Sequence, residues 1–141
     1  MSENSVIVSR FVEKVLNGGQ WDQLAKFCAP DFTWSAGSMG QVQGLEGYRK
    51  VLESSAASMS EMHLTLKEIL TSGDDKVVIR FVNRAVNTGP YMGYPATGRQ
   101  VEWGGVGIFT LIGGKISEAF FIIDTLGLLL KLGHKLPQTT V

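Results

Sequence analysis

The segment Ala119-Phe-Phe-Ile-Ile-Asp-Thr-Leu-Gly-Leu-Leu-Leu130 carries a single charge, Asp124, in an otherwise almost wholly apolar run. Read as a strand ending at Asp124, it places Phe120, Ile122 and Asp124 on one face and Phe121 and Ile123 on the other. Such a strand is apolar on both sides. Both sides must therefore be covered, either within the chain or by a second copy. The expected partition puts Phe121 and Ile123 outward, together with Val106 and Ile108, where they pair two chains. An unpaired carboxylate costs several kcal/mol to bury, so Asp124 needs a use. An Asp after a strand caps the next helix by accepting a backbone N–H, and the local sequence puts this reading first. In an apolar pocket the same group would have a pKa above its usual value of about 3.9 and could exchange a proton near neutral pH.

The chain divides into a helical first half and a strand-rich second half. Val8, Phe11, Val12, Val15 and Leu16 recur at helical spacing over residues 5–16, and Asn17-Gly18-Gly19 stops that helix. Trp21, Leu24, Ala25 and Phe27 suggest a second short helix ended before Pro30. Asp31 to Ser35 reads as a short strand, and Gly44 to about Ser58 as a third helix. Met62–Leu70, Lys76–Asn87, Gln100–Ile112 and Lys115–Asp124 are rich in β-branched and aromatic residues and are separated by turn signals. Gly113-Gly114 is a hairpin signal, and Leu126–Leu132 reads as a last short helix. Helices followed by an antiparallel meander make an α+β pattern. On 76–87, alternation groups Val77, Ile79, Phe81, Asn83, Ala85 and Asn87, opposite Arg80 and Arg84.

The length of 141 residues suits one domain. Thirteen basic and thirteen acidic residues cancel, with no basic stripe, which argues against nucleic acid or a charged membrane surface as partner. Glu3, Arg10, Glu13 and Lys14 interrupt any signal-peptide core, and the run at 119–130 is too short to span a membrane. The expectation is a soluble, cytoplasmic protein. Cys28, the only cysteine, reads as a small core residue.

Most constellations of chemistry fail on inspection. His63 alternates with Thr65 and Lys67 and is expected on the solvent side. His134 lies in a basic segment and is expected to be solvated. No spacing of His, Cys, Asp and Glu resembles a metal site, so no metal is expected. Gly104-Gly105-Val106-Gly107 lies inside a strand, where glycines permit a bulge or a close approach and make no phosphate cradle. Glu102, beside Trp103, reads as a surface residue. The polar residues that alternation sends inward remain: Asn83, Asn87 and Asp124, with Trp34, Tyr48 and Trp103 beside them.

Four segments together resemble the SnoaL-like polyketide cyclases of the nuclear transport factor 2-like superfamily. They are Arg10-Phe-Val-Glu-Lys-Val-Leu-Asn-Gly-Gly-Gln-Trp-Asp22 with Ala29-Pro-Asp-Phe32; Gly44-Leu-Glu-Gly-Tyr-Arg49; Asn87-Thr-Gly-Pro-Tyr-Met-Gly-Tyr-Pro-Ala-Thr-Gly-Arg99; and Gly114-Lys-Ile-Ser-Glu118 leading to Asp124 and Leu128-Leu-Leu-Lys-Leu-Gly133. The resemblance spans nearly the whole chain and implies one such domain over residues 1–141. It implies a cone-shaped, curved antiparallel sheet wrapped around N-terminal helices, with an apolar pocket and a tendency to homodimers that pair sheet faces. The family's acid/base aspartate falls on Asp124, which shifts the reading of that residue from cap to pocket carboxylate. Asn87 stands where many relatives have His, and Ala119-Phe120 where many have His-Trp. Limonene epoxide hydrolases resemble the layout too, but the positions of their Asp-Arg-Asp set hold Asn83, Phe81 and Phe121 here. The tyrosine and aspartate of ketosteroid isomerases would fall near Phe11 and Ala36, and the paired histidines of scytalone dehydratases are missing.

The resemblance thus implies a cofactor-independent cyclase or isomerase acting on a hydrophobic polyketide- or terpenoid-derived intermediate. Asp124 would move the proton, and Asn87 and Asn83 would hold the substrate oxygen or orient the carboxylate. Trp34, Tyr48, Met59, Trp103, Phe120 and Ile122 would shape the cavity. A non-catalytic binding protein of the same fold, and an epoxide-opening or dehydrating enzyme, are the competing readings.

Overall fold

The structure, a computed structural model, describes residues 2–37 and 40–135. Ser2 caps the first helix, its hydroxyl accepting from the Ser5 N–H at 3.1 Å. Helix α1 (Glu3–Phe11) continues into a π-helical turn, Val12–Asn17, and Val8, Phe11, Val12 and Val15 form its buried stripe. A 3-10 turn (Trp21–Gln23) leads into the short α2 (Leu24–Phe27), then β1 (Cys28–Ala36), β2 (Gln41–Gln43) and α3 (Leu45–Ser58). The second half is β3 (Met59–Ser72), β4 (Lys76–Asn87), β5 (Gln100–Ile112), β6 (Lys115–Ile123) and α4 (Thr125–Lys131). Among the described residues, no helix is long and apolar enough to cross a membrane.

The strands form one curved sheet in the order β2-β1-β6-β5-β4-β3. Strands β3 to β6 make the expected antiparallel meander. The sheet as a whole is mixed, because β1 lies parallel to β6. Strand β1 covers the edge of the most apolar strand. Alternation reports which side chains share a face and says nothing about the direction of a partner distant in sequence.

One sheet face is covered by helices, and the other is open. On β4 the covered side holds Val77, Ile79, Phe81, Asn83, Ala85 and Asn87, all buried, while Arg80 and Arg84 are exposed, as alternation predicts. Strand β6 reverses the expectation. Ile116, Ala119, Phe121 and Ile123 point to the covered side; Phe120 and the exposed Ile122 point to the open side, opposite Ile108 and Val106. The cause is a bulge. Glu118 pairs with Thr110 but Ile116 pairs with Leu111, so β6 carries one extra residue at Ser117. One extra residue sends every later side chain to the opposite face.

Two apolar clusters fill the covered side. The larger joins α1, the π-turn and α3 to the sheet through residues such as Phe11, Phe32, Tyr48, Phe81 and Phe109. The smaller joins α4 to the far end of β4 and β5: Met59, Ala85, Val101, Trp103, Leu128 and Leu132. Two strand glycines allow aromatic rings to cross the sheet. A Cβ on Gly105 would stand 2.6 Å from Phe81 Cζ, and one on Gly107 would stand 3.1 Å from Phe121 Cζ.

Candidate functional site

Asn83 lies at the seam of the two clusters. Along the covered face of β4, Phe81 belongs to the larger cluster and Ala85 to the smaller. Sheet register sets Asn83 in a row across three strands, with Leu64 on one side and Trp103 on the other. Asn83 is 8% exposed and Trp103 5%. Asn83 Oδ1 and Trp103 Nε1 are buried atoms with no hydrogen-bond partner in the protein. An orphaned buried polar group costs about 1–3 kcal/mol, so two in one row are an uncommon expense in a core. Asn17, at the end of the π-turn, cannot relieve them: its amide donates to the Leu64 carbonyl at 2.9 Å and accepts from the Leu64 N–H at 2.7 Å.

Asn87 lies on the same face and is fully buried, but its amide is saturated. Nδ2 donates to the Ser58 and Gly89 carbonyls at 3.2 and 2.9 Å, and Oδ1 accepts from Thr97 N–H and Oγ1–H at 2.9 and 3.0 Å. The alternation that sends Asn87 inward is correct. Its expected freedom to donate to a substrate is not, because the side chain pins the connection from β4 to β5. Asn83 and Asn87, alike in sequence, differ here in every bond.

Asp124 occupies neither the seam nor the covered face. It is exposed, at the N-cap of α4, and its Oδ1 accepts from the Gly127 N–H at 2.9 Å. Its backbone N–H donates to the Gly104 carbonyl at 2.9 Å, next to Trp103 in sequence. The carboxylate borders an open groove of about 400 Å³ on the uncovered side, lined also by Arg80, Val82, Gly104, Val106 and Ile122. The expected buried pocket carboxylate is therefore corrected to an exposed cap. It follows the bulge-shifted phase of Phe120 and Ile122, which likewise leave the cavity-shaping set for the open face.

The other expected lining residues face inward. Trp34 is half-buried and packs on Tyr48 with ring centroids 5.9 Å apart, and Phe32 meets Tyr48 edge-on at 5.0 Å. Burial pushes the Tyr48 phenol well above its ordinary pKa, so it remains a neutral hydroxyl. Met59, at the start of β3, is buried with Trp103. Phe81 and Phe121, at two positions of the epoxide-hydrolase set, pack at 5.6 Å, leaving Asn83 as the polar member of that trio.

His63 is exposed, as expected. His134 is not solvated: its ring stacks on Tyr94 at 4.1 Å, and its Nε2 is buried without a partner. The apolar Leu128 and Leu132 draw the end of α4 onto the sheet, a pull that the neighbouring lysines conceal in sequence. Cys28 is buried, and burial pushes its thiol up to about 12. Among the described residues, no group of His, Cys, Asp and Glu could hold a metal ion.

Residues 6–132 match the family model of the SnoaL-like polyketide cyclases. Among curated proteins none matches. Among solved structures, a candidate SnoaL-like polyketide cyclase from Jannaschia sp. CCS1 superposes with a TM-score of 0.86 at 21% identity, over 95% of this chain and 94% of that one. IdmH from Streptomyces antibioticus, described as a candidate polyketide cyclase, gives 0.81 at 27% identity over 94% and 100% of the two chains. AclR from Streptomyces galilaeus, described as a candidate hydroxylase, gives 0.81 at 26% over 99% and 90%. These likenesses match the cone fold of the nuclear transport factor 2-like proteins.

Proposed function

The chain belongs to the SnoaL-like polyketide cyclase family, and on that premise we propose that it is a cofactor-independent cyclase or isomerase of a hydrophobic polyketide- or terpenoid-derived intermediate. One observation carries the reading to this chain's own residues. Among the described residues, Asn83 Oδ1 and Trp103 Nε1 are buried on the covered sheet face without a hydrogen-bond partner, side by side among apolar and aromatic neighbours. Such a row suits a greasy substrate that is gripped at one oxygenated point. Holding the reacting carbons together in one conformer supplies rate enhancement by orientation alone.

In this reading Asp124 moves the proton at a carbon next to the one that bears the gripped oxygen. Its backbone is bonded to Gly104, one residue from Trp103. Its carboxylate must leave the Gly127 N–H and turn from the open groove to the covered side. Giving up the cap costs about 1 kcal/mol, which a charge-assisted bond to substrate offsets. The capped, exposed state of Asp124 supports a second reading, a non-catalytic binding protein in which the carboxylate only ends β6 and starts α4.

Asp124→Asn separates the two readings, because Asn caps as well as Asp but carries no proton. With a polyketide substrate in hand, the cyclase reading expects folding and ligand binding to persist and turnover to fall by at least about a hundredfold. Full turnover in Asp124→Asn removes the carboxylate from the mechanism. Ligand binding with no turnover in the parent protein establishes the binding reading.

A further inference from the structure

We propose that Asn83 and Trp103 form a hydroxyl-reading pair: together they select an occupant that presents an enol or phenol oxygen and reject the same skeleton with that oxygen alkylated. The inference rests on the covered sheet face being the ligand chamber, and it names the group recognised there. The argument is one of hydrogen-bond inventory. The indole N–H of Trp103 can only donate, and the carboxamide oxygen of Asn83 can only accept. Both atoms are buried and orphaned. Their residues are direct cross-strand partners on the covered face, which sets their Cβ atoms about 5 Å apart. A hydroxyl is the smallest group that can satisfy both, accepting from the indole and donating to the amide through one oxygen. A ketone or ether satisfies only Trp103 and leaves the Asn83 oxygen desolvated and unpaired. A site built to bond a hydroxyl discriminates strongly against the analogue that lacks it, because the buried partner is stranded.

The two neighbouring amides do not compete. The Asn17 amide is committed to Leu64, and the Asn87 amide to Ser58, Gly89 and Thr97. The buried residues around the pair include Met59, Leu64, Ala85 and Val101, and Met62, Tyr91 and Ile123 pack against the same cluster, all without charge. A neutral enol or phenol enters such a site more cheaply than an enolate or a carboxylate. The class selected is thus the hydroxylated, unalkylated aromatic or enolised 1,3-dicarbonyl skeleton.

The probes are 2-naphthol, 2-methoxynaphthalene and naphthalene, titrated into the intact protein. Their affinities are read by calorimetry and their contacts by the indole N–H resonances of 15N-labelled tryptophan. Trp103→Phe identifies the Trp103 resonance. The expected order is 2-naphthol tightest, about tenfold or more over its methyl ether, with a downfield shift of the Trp103 indole proton. Asn83→Leu should bind 2-methoxynaphthalene and 2-naphthol alike. It should also melt no lower than the parent, since it deletes an orphaned acceptor and not a bond. Trp103→Phe, which keeps an aromatic ring and loses the N–H, should lose the preference as well and stands in if Asn83→Leu does not fold. Equal binding of all three probes to the parent, or selectivity that survives in both variants, overturns the pair and leaves the chamber standing. No binding of any probe, with no movement of the Trp103 resonance, overturns the chamber and the pair together.

Discussion

Replacing Asn87 with alanine should unlock the connection between β4 and β5. The side chain makes four bonds at 2.9 to 3.2 Å, and the residue is 0% exposed. Alanine removes all four and strands the Thr97 N–H and the Gly89 carbonyl. The backbone pairs that close the same loop remain, Asn87 N–H to Arg99 O at 2.9 Å and Gly98 N–H to Asn87 O at 2.8 Å. Each lost bond contributes about 0.5–1.5 kcal/mol net. Counting the two bonds that share Oδ1 as one leaves three, and the sum is about 3 kcal/mol, or roughly 10 °C in Tm for a chain of this length. Urea unfolding measures the global loss, and trypsin cleavage after Arg99 reports opening of the loop. A variant within about 0.5 kcal/mol of the parent, with Arg99 equally resistant, refutes the clamp. It would return Asn87 to the substrate-facing role its position in sequence suggests.

We propose that a second copy of the chain covers the open sheet face, where Val106, Ile108 and Ile122 are exposed beside Phe120; light scattering should give twice the chain mass, and Ile122→Lys should halve it, whereas a parent that is monomeric at micromolar concentration rejects the interface. Gly107→Ala should cost about 1–3 kcal/mol, because the Phe121 ring it meets at 3.1 Å is held between Phe81 and Phe109 at 5.6 and 5.5 Å; an unchanged urea midpoint contradicts that packing. The buried Cys28 thiol, pushed from 9.0 up to about 12, keeps its contribution below pH 9.0 and loses it as pH rises toward 12, since the unfolded chain releases that proton first. Cys28→Ala should therefore flatten the stability curve in this window, and an identical slope in both proteins would show that other groups account for it.

Much of the fold was legible because its signals are local. The buried stripe of α1, the Gly113-Gly114 hairpin and the two faces of β4 each depend on spacings of a few residues, and each stands as read. Two features depend on partners far away in sequence. The parallel pairing of β1 with β6 joins Cys28–Ala36 to residues 85 to 88 positions later. The bulge at Ser117 exists only relative to Thr110 and Leu111 on β5. A strand that is apolar on both sides gives alternation nothing to anchor on. One unseen bulge then exchanged Phe121 and Ile123 for Phe120 and Ile122.

The same bulge accounts for the candidate site. Phase along β6 carries through to Asp124, so the shift that turns Ile122 outward also leaves the carboxylate at the open groove, capping Gly127. On β4, which carries no bulge against β5 over the paired residues, alternation placed Asn83 and Asn87 on the covered side correctly. Alternation cannot say which of two buried amides is already spent. That depends on Ser58, Gly89 and Thr97 gathering around one of them, and on the strand partners of the other being Leu64 and Trp103, neither of which relieves its side-chain oxygen. The chemistry of the site thus turns on an inventory of bonds more than on residue type. Asn87 is consumed by the fold, and Asn83 is the amide whose buried oxygen keeps an unmet bond.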